Sequence, residues 1–161
     1  MAAGQDLDEA ERGGEGTTVS DWRSIVVGVD GSPGSRKALN WAASEAAAHR
    51  TELIVINVWE HTLLPPAGSV SVSERFVPDE SQRTTDELLQ VIKDELGEQP
   101  PVLVQPMVKQ GSPAKVLIEE SAGAELLVVG QRGHGGFAGL VLGSVSQHVS
   151  AYAKCTVTVV R

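Results

Sequence analysis

"SIVVGVDGSPGSRKALNWAASEAAAHRTELIVINVW", Ser24 to Trp59, is the stretch from which the fold can be read. Its first seven residues, Ser24–Asp30, are a continuous apolar run rich in Val and Ile that ends on an acid. A strand covered on both faces has this composition, because neither side alternates toward water. "GSPGS" interrupts the run, and Ser35–Arg50 then carries Ala38, Leu39, Ala42, Ala43 and Ala46 at helical spacing. Glu52–Trp59 is a second buried strand. A strand, a helix and a strand of this kind call for parallel pairing through a right-handed crossover.

The alternation continues outward. Residues 60–79 hold Pro65-Pro66 and scattered Ser and Gly, a long connection expected to be mobile or lid-like. Asp79–Leu96 reads as an amphipathic helix, with Leu88, Leu89, Ile92 and Leu96 on one side and acids in its first turn. Pro101–Gly111 is a strand whose internal Pro106 belongs near a sheet edge. Ser112 and Pro113 are a favourable N-cap and first helical residue for the next helix. "ELLVVG" (Glu125–Gly130), "GSVSQHVSAYAK" (Gly143–Lys154) and Cys155–Arg161 then supply strand, helix and strand. The predicted fold is α/β: a doubly wound open sheet of five parallel strands with helices on both faces. Such sheets bind ligands beyond the strands' carboxyl ends, where strand order reverses, which here singles out the loops after strands one and four.

A length of 161 residues suits one domain, taken as 22–161. Residues 1–21 hold six acids against Arg12 alone, most of the net charge of −8, with few apolar residues; they read as an acidic, disordered leader. "MAAGQDLDEAERGG" lacks the basic-then-apolar pattern of a secretory signal, and no apolar run reaches the roughly 20 residues of a membrane span. The single cysteine, Cys155, excludes an internal disulfide and a Cys-based zinc site, so a reducing cytoplasm is the default expectation. Cys155 itself reads as a small buried hydrophobe. No basic patch interleaved with aromatics argues for nucleic acid.

"LLVVGQRGHGGFAGLVLGSVSQHVS", Leu126 to Ser150, runs from the fourth strand through a glycine-rich loop into a helix. Glycines after a buried strand let backbone N–H groups approach a phosphate unobstructed by Cβ atoms, and a helix N-terminus adds free amides and partial positive charge. Arg132 and His134 lie in the loop and either add charge or face water. "GHGGFA" fits the dinucleotide pattern G-x-G-x-x-A, but no acid follows Glu125 to hold a ribose. Leu142-Gly143-Ser144 lacks the lysine of a Walker A loop. The spacing G-x2-G-x9-G-S is met at every position by Gly130, Gly133, Gly143 and Ser144.

With that spacing, "IVVGVDGSPGSRKAL", "LIVINVW" and the stretch from Gly111 to Arg161, the sequence resembles a universal stress protein of the ATP-binding type over residues 23–161. The resemblance implies a Rossmann-like sheet of the adenine nucleotide alpha hydrolase kind, ATP as the ligand with Mg²⁺ on its phosphates, and a stress-response or signalling role. It implies that Gly28 and Val29 floor the base and that the backbone of Val58 meets the adenine edge. Asp30 would sit near the ribose and a phosphate-bound metal, although its type and place also suit a turn or cap. Val129, Gly130, Arg132 and His134 would border the ribose and phosphates, with Gly133, Gly143, Ser144, Val145 and Ser146 cradling the phosphates. Ser146 equally suits ordinary helix surface, since Ser144 is expected to occupy the cap.

Where the family's last strand often begins Cys-Pro-Val, this chain has Cys155-Thr156-Val157. Thr restores an N–H that Pro lacks, and the resemblance implies a homodimer through Thr156–Val160. The residues give little machinery for hydrolysis: Asp30, His134, His148 and Arg132 are the candidates, and His148 reads as helix surface. No G-x-S-x-G is present. Holding a nucleotide is favoured over consuming it. A slow ATPase and a sensor of AMP or a cyclic nucleotide are the alternatives, and the protein partner is left open.

Overall fold

The computed structural model describes residues 22–60, 80–134 and 141–161. The expected leader and most of the 60–79 connection lie outside the described residues. In chain order the elements are β1 (Ser24–Gly28), α1 (Pro33–His49), β2 (Glu52–Trp59), α2 (Glu80–Leu96), β3 (Val104–Gln110), α3 (Pro113–Glu120), β4 (Leu126–Gly130), α4 (Ser144–Tyr152) and β5 (Thr156–Val160). The five strands form one parallel sheet in the order β3-β2-β1-β4-β5. This is the doubly wound architecture expected from the sequence.

The order explains the layering. Moving from β1 to β2 to β3 by right-handed crossovers places α1 and α2 on one face. The chain then returns past β1 to β4 and β5, so α3 and α4 cover the other face. Side-chain alternation fills both layers. Ile25, Val27, Leu53, Val55, Leu126 and Val128 pack with Ala38, Leu39 and Ala42 of α1 and Leu88 and Ile92 of α2. Val26, Ile56, Leu127 and Val129 pack with Leu117 of α3 and Val149 of α4. Small alanines on α1 let that helix lie close to the sheet.

Several local expectations need adjustment. Leu89 is exposed (47%), and Val91 takes its place beside Leu88 and Ile92 on the buried stripe of α2. Residues 88, 91 and 92 fall within one narrow arc of a helix, whereas 89 is turned a further 100° from 88. Ser112 is the N-cap of α3 with Pro113 behind it, but its hydroxyl makes no capping bond. The N-cap of α4 is Gly143, not Ser144, which is the first helical residue. Pro106 stands on edge strand β3, opposite Val55. Leu103 and Gly111 both bond across to β2, so strict alternation turns Pro106 toward the open side, where a missing N–H costs no ladder bond.

Candidate functional site

β1 and β4 are neighbours, and the chain leaves them on opposite faces of the sheet. Their loops diverge and leave a crevice, closed on the far side by the N-termini of α3 and α4. The crevice is a cavity of about 540 Å³. All thirteen residues named from the sequence line it: Gly28, Val29, Asp30, Val58, Val129, Gly130, Arg132, Gly133, His134, Gly143, Ser144, Val145 and Ser146. Ser35, Ile56, Glu60, Pro113 and Leu117 line it too.

One end offers a peptide edge. The β1–β2 ladder closes with the Val29 N–H donating to the Ile56 carbonyl at 2.8 Å. Asp30, next along, turns away and gives its N–H to Ser35 Oγ at 3.3 Å. Trp59 faces β3, its carbonyl accepting from the Gly111 N–H. By alternation, the N–H and C=O of Val58 therefore face the gap that β1 vacates. A donor and an acceptor on one residue suit a flat heterocycle carrying an amino group beside a ring nitrogen. Gly28 lies below, with the Leu117 side chain close over it.

The other end offers amides. α4 starts at Gly143 without a side-chain cap and without an acid in its first turn. The N–H groups of Ser144, Val145 and Ser146 thus open the helix toward the cavity, with the partial positive charge of a helix start. Ser146 is not surface: it is buried, and its hydroxyl donates to the Gly130 carbonyl at 2.7 Å. That bond ties α4 to the end of β4, so Ser146 offers a ligand its amide and not its hydroxyl. The Gly143 N–H donates to the Gln131 carbonyl at 2.8 Å and closes the base of the loop.

Not every motif glycine serves the cavity directly. A Cβ on Gly130 would stand 2.6 Å from the Gly34 carbonyl carbon and 2.9 Å from the Ser35 nitrogen, so this position is glycine because α1 begins against it. A Cβ on Gly133 would collide with the Asp30 carboxylate.

Asp30 is tightly engaged. Its Oδ1 accepts from the Ser32 N–H at 3.0 Å and the Ser32 hydroxyl at 2.6 Å; Oδ2 accepts from the His134 N–H at 3.2 Å. Partial burial in this cluster pushes the carboxyl up. The Ser32 hydroxyl and amide, the Ser35 hydroxyl and the His134 amide outweigh it and hold Asp30 below its ordinary value of 3.8. His134 does not simply face water: its Nε2 lies 2.9 Å from the Asp30 carbonyl oxygen, which can only accept, so Nε2 carries a hydrogen.

The expected metal role of Asp30 fits this arrangement poorly. A carboxylate has about four lone-pair sites, and three are taken. Among the described residues no group of three or more His, Cys, Asp or Glu could share an ion. Glu60 is the other acid lining the cavity. No helix among the described residues is long and apolar enough to cross a membrane.

The model of the universal stress protein family matches residues 21–161. A universal stress protein of Mycolicibacterium smegmatis is 36% identical over 139 residues, covering 85% of this chain and 45% of that protein. The chain thus spans less than half the length of the curated relatives it matches. Among solved structures, UspA from Lactobacillus plantarum superposes with a TM-score of 0.67 at 21% identity, over 87% of this chain and 98% of that one. A universal stress protein in complex with cAMP gives 0.59 at 24%, over 87% and 97%. A family member from Arabidopsis thaliana with AMP bound gives 0.57 at 19%, over 86% and 90%. At these identities the superpositions establish the shared fold. With the family model spanning nearly all of its length, the chain belongs to the universal stress protein family.

Proposed function

We propose that this chain binds an adenine nucleotide, with ATP as its ligand, and acts as a nucleotide-dependent signalling module. The observation that carries the reading is the pairing of two main-chain surfaces across one cavity. The Val58 peptide edge matches the donor and acceptor of adenine, and the uncapped start of α4 suits phosphate. The relatives crystallised with cAMP and AMP support an adenine nucleotide as the class. Binding is favoured over hydrolysis because the Asp30 carboxylate is already held by three hydrogen bonds and lowered in pKa, which makes it a poor base for water; His134, with its Nε2–H on the Asp30 carbonyl, keeps Nδ1 as the ring's basic nitrogen.

Calorimetric titration with ATP, AMP and cAMP tests the reading, alongside the Val58→Ala variant. Because the main chain reads the base, Val58→Ala keeps affinity within about threefold, under about 0.7 kcal/mol. Absence of binding by all three nucleotides overturns the proposal. A loss above about tenfold in Val58→Ala overturns the main-chain reading of the base.

The same reading includes a homodimer through β5. That strand closes one edge of the sheet, and the Gln131 N–H bonds the Val160 carbonyl at 2.7 Å. Thr156, Thr158 and Val160 therefore face β4 by alternation. The peptide groups of Val157 and Val159 face outward, open to a second copy.

A further inference from the structure

Asp30 and His134 meet twice. The His134 N–H donates to Asp30 Oδ2 at 3.2 Å, and Nε2–H donates to the Asp30 carbonyl oxygen at 2.9 Å. One contact uses the backbone of the loop residue and the side chain of the strand residue; the other uses the reverse. Two such bonds fix the peptide between Gly133 and His134 against the end of β1. Ser32, which holds Oδ1 through its amide and hydroxyl, anchors the carboxylate to the start of α1. Gly133 fits this account: the Asp30 carboxylate fills the space where a Cβ would stand.

We propose that the Asp30–His134 pair is a clasp that positions the phosphate-facing loop, and that Asp30 contributes to nucleotide binding as a positioning residue without a divalent cation. This rests on the proposed nucleotide site. A cation at Asp30 would have to take the last lone pair of Oδ2 or displace one of the three bonds. Displacing the His134 N–H would release the loop segment whose place makes the site. Metal ligation and loop positioning therefore compete for the same carboxylate. Any Mg²⁺ that accompanies ATP arrives on the phosphates and is not fixed by Asp30.

The test measures AMP and ATP affinity by calorimetry, in EDTA and in Mg²⁺, for wild type, Asp30→Asn, His134→Ala and the double variant. Asparagine keeps an oxygen for Ser32 but presents no acceptor to the His134 N–H. The expected result is a loss of about three- to thirtyfold in each single variant, equal in EDTA and Mg²⁺, with the double variant no weaker than the worse single. A loss in Asp30→Asn that appears only with Mg²⁺, or losses that multiply in the double variant, overturns the clasp. So does unchanged affinity in both singles.

Amide hydrogen exchange of the 130–134 segment, without nucleotide, provides a separate readout. The clasp predicts faster exchange there in each variant and no further rise in the double; unchanged exchange overturns it. Wild type that binds no nucleotide in either buffer defeats the proposed function, while exchange still decides the clasp. His134 is exposed, so His134→Ala carries the test if Asp30→Asn does not fold.

Discussion

The Ser146 hydroxyl donates to the Gly130 carbonyl at 2.7 Å, joining the first turn of α4 to the last residue of β4. Ser146→Ala leaves that carbonyl without its buried partner and costs about 1–3 kcal/mol of stability. Urea unfolding checks this, and a cost below about 0.5 kcal/mol would show that the bond does not hold the helix start. Nucleotide affinity is expected to fall along with stability, because the bond places the amides of the helix start over the strand end.

Gly130→Ala tests the close approach of α1 to β4. The added methyl meets the Gly34–Ser35 backbone, which cannot rotate aside as a side chain can. Overpacking of this kind costs about 1–3 kcal/mol. A lowered thermal midpoint without any nucleotide present is the expected outcome; an unchanged midpoint would place the role of this glycine in ligand contact alone.

Acid unfolding reports on Asp30. Its carboxyl is held below the ordinary 3.8, so the folded chain favours the charged form more than the unfolded chain does. The resulting stabilisation is complete above about 3.8, the unfolded value, and is lost as pH falls through the lower folded value. Urea midpoints of wild type and Asp30→Asn therefore differ at neutral pH and converge below that range. A gap that does not narrow as pH falls below about 3.8 would assign the effect of the variant to packing.

Two proline variants separate the faces of β5. Val159→Pro removes an outward N–H and is expected to dissociate the proposed dimer while the sheet stays intact. Thr158→Pro removes an N–H that faces β4 and is expected to destabilise the fold itself. Sedimentation combined with thermal unfolding distinguishes the two. A dimer that survives Val159→Pro is not built on this strand edge.

The sheet was legible because its central strands β1 and β4 are buried on both faces and its helices carry a different period; Ser24–Trp59 alone conveys parallel pairing. The site was legible wherever the chain itself brings residues together, as at β1 with its turn and at β4 with its loop. Leu117 and Pro113 were missed because they reach the cavity only through the packing of α3 on the far face, which no local pattern states. Pro113 after Ser112 did mark a helix starting at the strands' carboxyl rim, which was the available hint. Ser146 could not be told from surface, since a serine inside a helix has the same appearance whether its hydroxyl meets water or a buried carbonyl. The reason for Gly130 lay in Gly34, a partner distant in sequence.

The peptide edge of Val58 has an evolutionary corollary. Peptide groups are common to nearly all amino acids, so descendants of this chain can exchange the side chain at this position widely without altering what the strand end offers a base. Proline alone, having no N–H, would erase it. On the proposed reading of the base, relatives that vary here would still share one preference, and comparing residue identities would overlook it.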